Sequence, residues 1–236
     1  MKQGHSVAEN LAWIRERVEQ AAARAGRRAE EIILVGVSKT FPAEKIREAY
    51  EAGVRHFGEN RVQEWEEKRG AVADLQATWH LVGHLQSNKA KRAAQMFHCV
   101  DSVDDVPLAR RLDQAARESA AGAGRGRLRV LIEVRVSDES AKSGAEEEEV
   151  PALAERILAL PNLGLAGLMC IPPLLGEAES ARPYFRRLRA LRDQLSAQLK
   201  TNLPVLSMGM SYDFEVAIEE GATEVRVGTA LFGSRR

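Results

Sequence analysis

Eight short apolar runs recur between residues 32 and 228, separated by longer amphipathic stretches. They are IILVGVS (32–38), VRHFG (54–58), TWHLVG (78–83), FHCVDS (97–102), LRVLIEVRV (128–136), LGLAGLMC (163–170), LPVLSM (203–208) and TEVRVG (223–228). Short apolar runs bounded by turn residues read as buried strands. Between them, apolar residues return at spacings of three and four. Ile46, Ala49 and Tyr50 follow Pro42. Val106, Ala109 and Leu112 form a second set, and Leu153, Ile157 and Leu160 a third. Leu188, Leu191, Leu195 and Leu199 form a fourth, and Phe214, Ala217 and Ile218 precede Gly221. Strand, helix, strand throughout implies parallel pairing through right-handed crossovers. Eight strands in 236 residues predict an α/β fold, a single (β/α)8 TIM barrel over residues 1–236, close to the roughly 250 residues usual for that architecture. A doubly wound open sheet is the alternative, because periodicity does not require closure. Val7, Leu11, Ile14, Val18, Ala22 and Ala25 predict an extra N-terminal helix that closes the bottom or side. Ser6 and Glu9 are placed as its capping box, and Gly26 as its stop.

Composition narrows the partners. Lys plus Arg and Asp plus Glu each total 34, so net charge is zero and no basic stripe is available for a nucleic-acid backbone. No apolar run is long enough to span a membrane, and MKQGHSVAEN lacks the apolar stretch of a secretory signal. Two cysteines do not make a disulfide framework, and a reducing cytoplasm is the expected location. Balanced charge and few aromatics lead us to expect a monomer. AGAGRGR (121–127) precedes a strand and reads as a loop instead of a phosphate cradle. The Glu146–Glu149 run reads as a solvated helix start, where the dipole favours carboxylates.

A (β/α)8 barrel carries its chemistry at the C-terminal ends of its strands, and its phosphate sites follow strands seven and eight. There the chain reads Ser207-Met208-Gly209-Met210-Ser211 and Gly228-Thr229-Ala230-Leu231-Phe232-Gly233. Glycines and hydroxyls at such turns leave backbone N–H groups for an anion. Lys39 directly follows strand one, which neighbours strand eight in a closed barrel. Only 8 of the 34 cations are Lys, so a Lys at this position stands out. Its amine can form a Schiff base where a guanidinium cannot usefully do so. An amine beside a phosphate cradle suggests a phosphorylated aldehyde, with pyridoxal 5′-phosphate the natural candidate.

Arg226 shares a strand face with Glu224 and Gly228. It reads either as an ion-pair partner of Glu224 or another barrel carboxylate, or as a donor to the cofactor ring nitrogen. An always-charged donor would keep that nitrogen unprotonated and restrain carbanion chemistry. Asn60 either reaches a ligand or caps the next helix. His80 packs against a ring at the mouth or is an ordinary hydrogen-bonded histidine. His80 and His84 lack a third metal ligand in the sequence, so no metal is expected. Cys99 and Cys170 read as inert core thiols.

Seven ordered segments carry a resemblance: VGVSKTFPAEKI (35–46), HFGENRVQE (56–64), WHLVGHLQSNK (79–89), VDSVD (100–104), SDESAKSG (137–144), LSMGMS (206–211) and VRVGTALFG (225–233). Together they resemble the pyridoxal phosphate homeostasis protein family, cofactor-binding proteins of the alanine racemase N-terminal-domain type. The resemblance implies that Lys39 holds the cofactor as an aldimine. It places the phosphate at Ser207, Ser211, Gly228 and Thr229 and the ring nitrogen at Arg226, with Asn60 and His80 in segments lining the pocket. It also implies delivery to apo-enzymes without established turnover. Two positions depart from the family pattern, Tyr212 for an acidic residue and His84 for proline.

A racemase-like enzyme is the alternative, and a protein that only senses the cofactor is a third reading. Related racemases use a second domain and a tyrosine base from a partner subunit. Strand eight ends near residue 228, which leaves no room for such a domain. Of Tyr50, Tyr184 and Tyr212, only Tyr212 falls near the expected mouth.

Overall fold

The computed structural model describes residues 6–123, 126–137, 143–173 and 176–233. Among these residues, eight strands close into a barrel: β1 (Ile33–Val37), β2 (His56–Glu59), β3 (Thr78–Leu81), β4 (Cys99–Val103), β5 (Leu128–Glu133), β6 (Leu163–Met169), β7 (Val205–Met210) and β8 (Glu224–Val227). Each pairs parallel with the next, and β8 returns to β1 with Val35 opposite Arg226. Closure removes the open-sheet alternative.

The helices are α1 (Val7–Arg24), α2 (Ala43–Glu51), α3 (Val62–Lys68), α4 (Ala90–Met96), α5 (Val106–Ala123), α6 (Val150–Leu158), α7 (Arg182–Leu199), α8 (Phe214–Glu219) and α9 (Thr229–Phe232). Periodicity does not reveal α3 or α4, because seven residues make fewer than two turns. The capping box of α1 forms as expected. Ser6 Oγ accepts the Glu9 N–H at 3.2 Å, and Glu9 Oε2 accepts the Ser6 N–H at 2.7 Å. Helix α1 packs on the side of the barrel against α2, α8 and α9. There Asn10 Nδ2 donates to the Leu231 carbonyl at 3.0 Å. The glutamate run forms a short turn, Glu147–Glu149, that leads into α6. Of the 121–127 segment, residues 124 and 125 lie outside the described residues, as does Lys142.

Strand alternation divides two environments. Phe57, Leu81, Val100, Ile132, Leu206 and Val225 belong to the main core with the helices, whereas Leu131, Met169 and Val205 form a separate small cluster inside the barrel. The lumen also holds His56, His80, Asp101, Arg129, Glu224, Ser207 and Arg226, which bond to one another. TIM-barrel lumens are usually filled by branched apolar side chains, so this interior is unusually ionic. Gly167 lets β6 approach β7, since an added Cβ would lie 1.9 Å from the Val205 carbonyl oxygen. Among the described residues, no helix is long and apolar enough to cross a membrane.

Candidate functional site

The C-terminal ends of the strands surround a cavity of about 410 Å³, within the range usual for small-ligand sites. Lys39, Asn60, Ser211, Arg226, Gly228 and Thr229 line it, together with Val37, Phe41, Val82, Gly83, His84, Glu133, Ser143, Ile171, Met210 and Tyr212. Six of the eight residues proposed from sequence therefore converge on one space.

Lys39 enters from the turn that follows β1. Beside it, the loops after β7 and β8 meet at one oxygen. The backbone N–H groups of Gly228 and Ala230 both donate to Ser211 Oγ at 3.2 Å. Two N–H groups aimed at one oxygen are the arrangement that holds a phosphate oxygen. Asp213 fastens the first loop by accepting the Met210 N–H at 2.6 Å. Burial pushes the Asp213 carboxyl up, against the stabilising N–H of Met210 and the charge of Arg226.

Arg226 does not pair with Glu224, which is taken by Arg129 from β5. Its Nη1 donates to Ser207 Oγ at 2.7 Å, and its Nη2 to the Cys170 carbonyl at 2.7 Å. These two bonds fix the guanidinium plane at the cavity floor. Burial lowers its proton affinity, while Cys170, Asp101 and Glu133 favour its charge. Ser207 does not line the cavity; it is fully buried and serves as the seat of Arg226. Asn60 lines the cavity, and Arg61 takes the cap position of α3 without a side-chain bond. Gly83 packs on Asn60 so closely that a Cβ would lie 2.4 Å from the Asn60 carbonyl oxygen.

His80 also lies away from the cavity lining, buried in the lumen. Its Nδ1 is 3.0 Å from Asp101 Oδ2, and its Nε2 is 3.0 Å from His56 Nδ1. Burial disfavours a charged His80, but Asp101 and Cys99 outweigh it and raise its pKa to about 9. Charged His80 then donates from both nitrogens. Burial and this neighbouring charge lower His56 to about 4. The raised His80 contributes stability that is complete below pH 6.5 and lost as pH rises towards about 9. The lowered His56 contributes stability present above pH 6.5 and lost as pH falls towards about 4. Thermal melts across pH 5–9 are expected to show a declining alkaline limb of order 3 kcal/mol, which His80→Gln flattens. An unchanged limb in that variant would contradict the assignment. Cys99 supplies the third metal-type ligand that sequence spacing does not show, with one atom each from His80, Cys99 and Asp101 within 4.8 Å of one another. Both His80 nitrogens are nonetheless engaged by Asp101 and His56. Cys170 is inert, its thiol pushed up to about 12 by burial.

Sequence reading passes over Glu133, Ser143 and Phe41. Ser143 Oγ donates to Glu133 Oε1 at 2.9 Å, and burial raises the Glu133 pKa. Alternation with Arg129 and Leu131 is the signal that would have turned Glu133 inward. Phe41 packs against Phe232 with ring centroids 5.0 Å apart and the rings tilted by 30°. His84 lines the mouth and sits 3.4 Å from Asp104. Tyr212 is half exposed at the rim, and its hydroxyl donates to the Gly176 carbonyl.

The chain matches the family model described as alanine racemase, N-terminal domain, over residues 8–236. It is 47% identical to the pyridoxal phosphate homeostasis protein of Aquifex aeolicus, over 97% of this chain and 98% of that one. Among solved structures, PipY of Synechococcus elongatus with PLP bound superposes with a TM-score of 0.83 at 39% identity, covering 96% of this chain and all of the other. Alanine racemase of Clostridium difficile 630 superposes at 0.73 with 14% identity, covering 98% of this chain but 57% of the racemase, and shows a shared fold alone. With nearly full-length identity of this order, the chain belongs to the pyridoxal phosphate homeostasis protein family, built on the alanine racemase N-terminal domain.

Proposed function

We propose that this protein binds pyridoxal 5′-phosphate at the barrel mouth, maintains it as a protected cytoplasmic pool and delivers it to apo-enzymes, acting as a monomer without catalytic turnover. One observation carries this reading: a lysine amine, a buried arginine and the Ser211–Gly228–Thr229 corner, where the Gly228 and Ala230 N–H groups converge on Ser211 Oγ, meet at the same cavity. The relatives add weight, since those at 47%, 46% and 43% identity are named for pyridoxal phosphate homeostasis and not for a reaction.

The cofactor supplies an aldehyde carbon to which a primary amine adds with loss of water. Lys39 is the residue we assign to that bond. Ser211 and the Gly228 and Ala230 N–H groups receive the phosphate, with Thr229 beside them. Arg226, held from below by Ser207, offers the ring nitrogen a hydrogen bond without giving up its proton. Asn60 holds the adjacent wall. His80 acts at a distance, by fixing the lumen beneath the site.

Borohydride reduction after loading, followed by peptide mapping, is expected to leave the label on Lys39. A label on Lys89 or Lys142 would sink this assignment. Transfer to an apo-aminotransferase is expected to outpace release into solution. Alanine racemisation is expected at background, in keeping with the engagement of the Tyr212 hydroxyl by Gly176. Steady turnover abolished by both Lys39→Ala and Tyr212→Phe would overturn the carrier reading.

A further inference from the structure

Lys39 sits in a turn that is fastened from outside the barrel. On its N-terminal side, Ser38 Oγ donates to Glu59 Oε1 at 2.6 Å, and the Ser38 carbonyl accepts from Lys68 Nζ at 2.9 Å. On its C-terminal side, the Thr40 N–H donates to the Glu64 carboxylate, and the Phe41 carbonyl accepts from Lys68 Nζ at 3.3 Å. The same ammonium lies 2.7 Å from Glu59 Oε1 and 3.1 Å from Glu64 Oε1. One lysine, only 11% exposed, thus ties together both ends of the turn.

The turn has a reason to need fastening. Thr40 has φ of +66°, a left-handed conformation that β-branched residues seldom adopt. Surrounding bonds must hold such a residue in place. The Ser38 N–H donates to the Gly58 carbonyl at 2.9 Å and the Phe41 N–H to the Ser38 carbonyl at 3.1 Å, and side chains add to these from Glu59 at the end of β2 and from Glu64 and Lys68 one turn apart on α3. None of these three side chains lines the cavity, so their influence on a ligand passes through the backbone of residues 38–41.

We propose that Lys68, paired with Glu59, is a positioning residue that holds the 38–41 turn so that the Lys39 amine is presented to the cavity. The inference rests on Lys39 being the cofactor anchor. It separates two grips: the amine bond depends on the Lys68–Glu59 clamp, whereas the phosphate grip, built from the loops after β7 and β8, does not.

Pyridoxine 5′-phosphate distinguishes them, because it carries the phosphate and ring but an alcohol in place of the aldehyde. The double variant Glu59→Gln/Lys68→Met removes both charges together and leaves no lone buried carboxylate. Titrated as the full chain, it is expected to bind pyridoxal 5′-phosphate about tenfold more weakly than wild type and to be trapped by borohydride more slowly. Its affinity for pyridoxine 5′-phosphate should stay within about twofold. The milder Glu64→Ala, which removes the acceptor of the Thr40 N–H and one of the two carboxylate partners of Lys68 but leaves the Lys68–Glu59 pair, is expected to show the same selective loss at about threefold, and it carries the test if the double variant does not fold. An equal fall for both ligands would reduce the clamp to a stability element, and unchanged affinities would exclude it. Failure of the Lys39 assignment is separable, since wild type would then carry the borohydride label on another residue.

Discussion

Lys39→Ala is expected to weaken binding of pyridoxal 5′-phosphate by about 100-fold, equivalent to about 2.8 kcal/mol, and to erase the visible absorption of the loaded protein. The amine is the part of the cavity able to bond covalently to an aldehyde. Its removal leaves the Ser211, Gly228 and Ala230 cradle in place, so residual binding should depend on the phosphate and be displaced by inorganic phosphate. Lys39→Arg should behave like the alanine variant despite keeping the charge, because a guanidinium is a poor nucleophile at neutral pH. This second arm separates covalent capture from simple attraction of the phosphate. Equilibrium dialysis and an absorption spectrum suffice. Wild-type affinity and colour in Lys39→Ala would place the anchor elsewhere.

The second large effect concerns stability. Arg129 of β5 and Glu224 of β8 reach across the lumen to pair, and the Glu224 side chain is 1% exposed. Arg129→Leu would leave that carboxylate buried without its cation, a change that costs about 3–5 kcal/mol. In a chain of this length the melting temperature should fall by roughly 10 °C. Arg129→Leu/Glu224→Leu should recover most of the loss, because a buried pair exchanged for apolar side chains is often nearly neutral. The cycle of single and double variants gives the coupling directly. A melting point within one degree of wild type in the single variant would show that the lumen solvates Glu224 by other means.

The eight strands are legible in the sequence because each is a dense apolar run. The long helices α1, α5 and α7 are legible because several turns repeat the same spacing. The mouth is legible for a related reason: Lys39, Asn60 and Ser211 stand just after such a run and Gly228 closes one, where barrel chemistry belongs. What stays hidden depends on distance across the fold. Alternation turns His80 inward but does not give its depth, which follows from its register opposite Cys99 on β4. Arg226 finds Cys170, 56 residues away, only when the barrel closes. Lys68 looks like any charged residue on a short helix until Ser38 and Phe41 are brought beneath it.

The ionic lumen bears on how the barrel finds its pairing. Slipping one strand by a single residue exchanges its two faces. In an all-aliphatic barrel, that error trades one apolar residue for another and is weakly penalised. Here it would drive Arg129, Asp101, Glu224 or Arg226 into the oily layer beneath the helices and strand their partners in the lumen. Charges buried without partners are costly enough to make such misaligned forms scarce. The buried charges therefore act as alignment marks during assembly, and they bring the turns after β1, β7 and β8 to the mouth in one relative height.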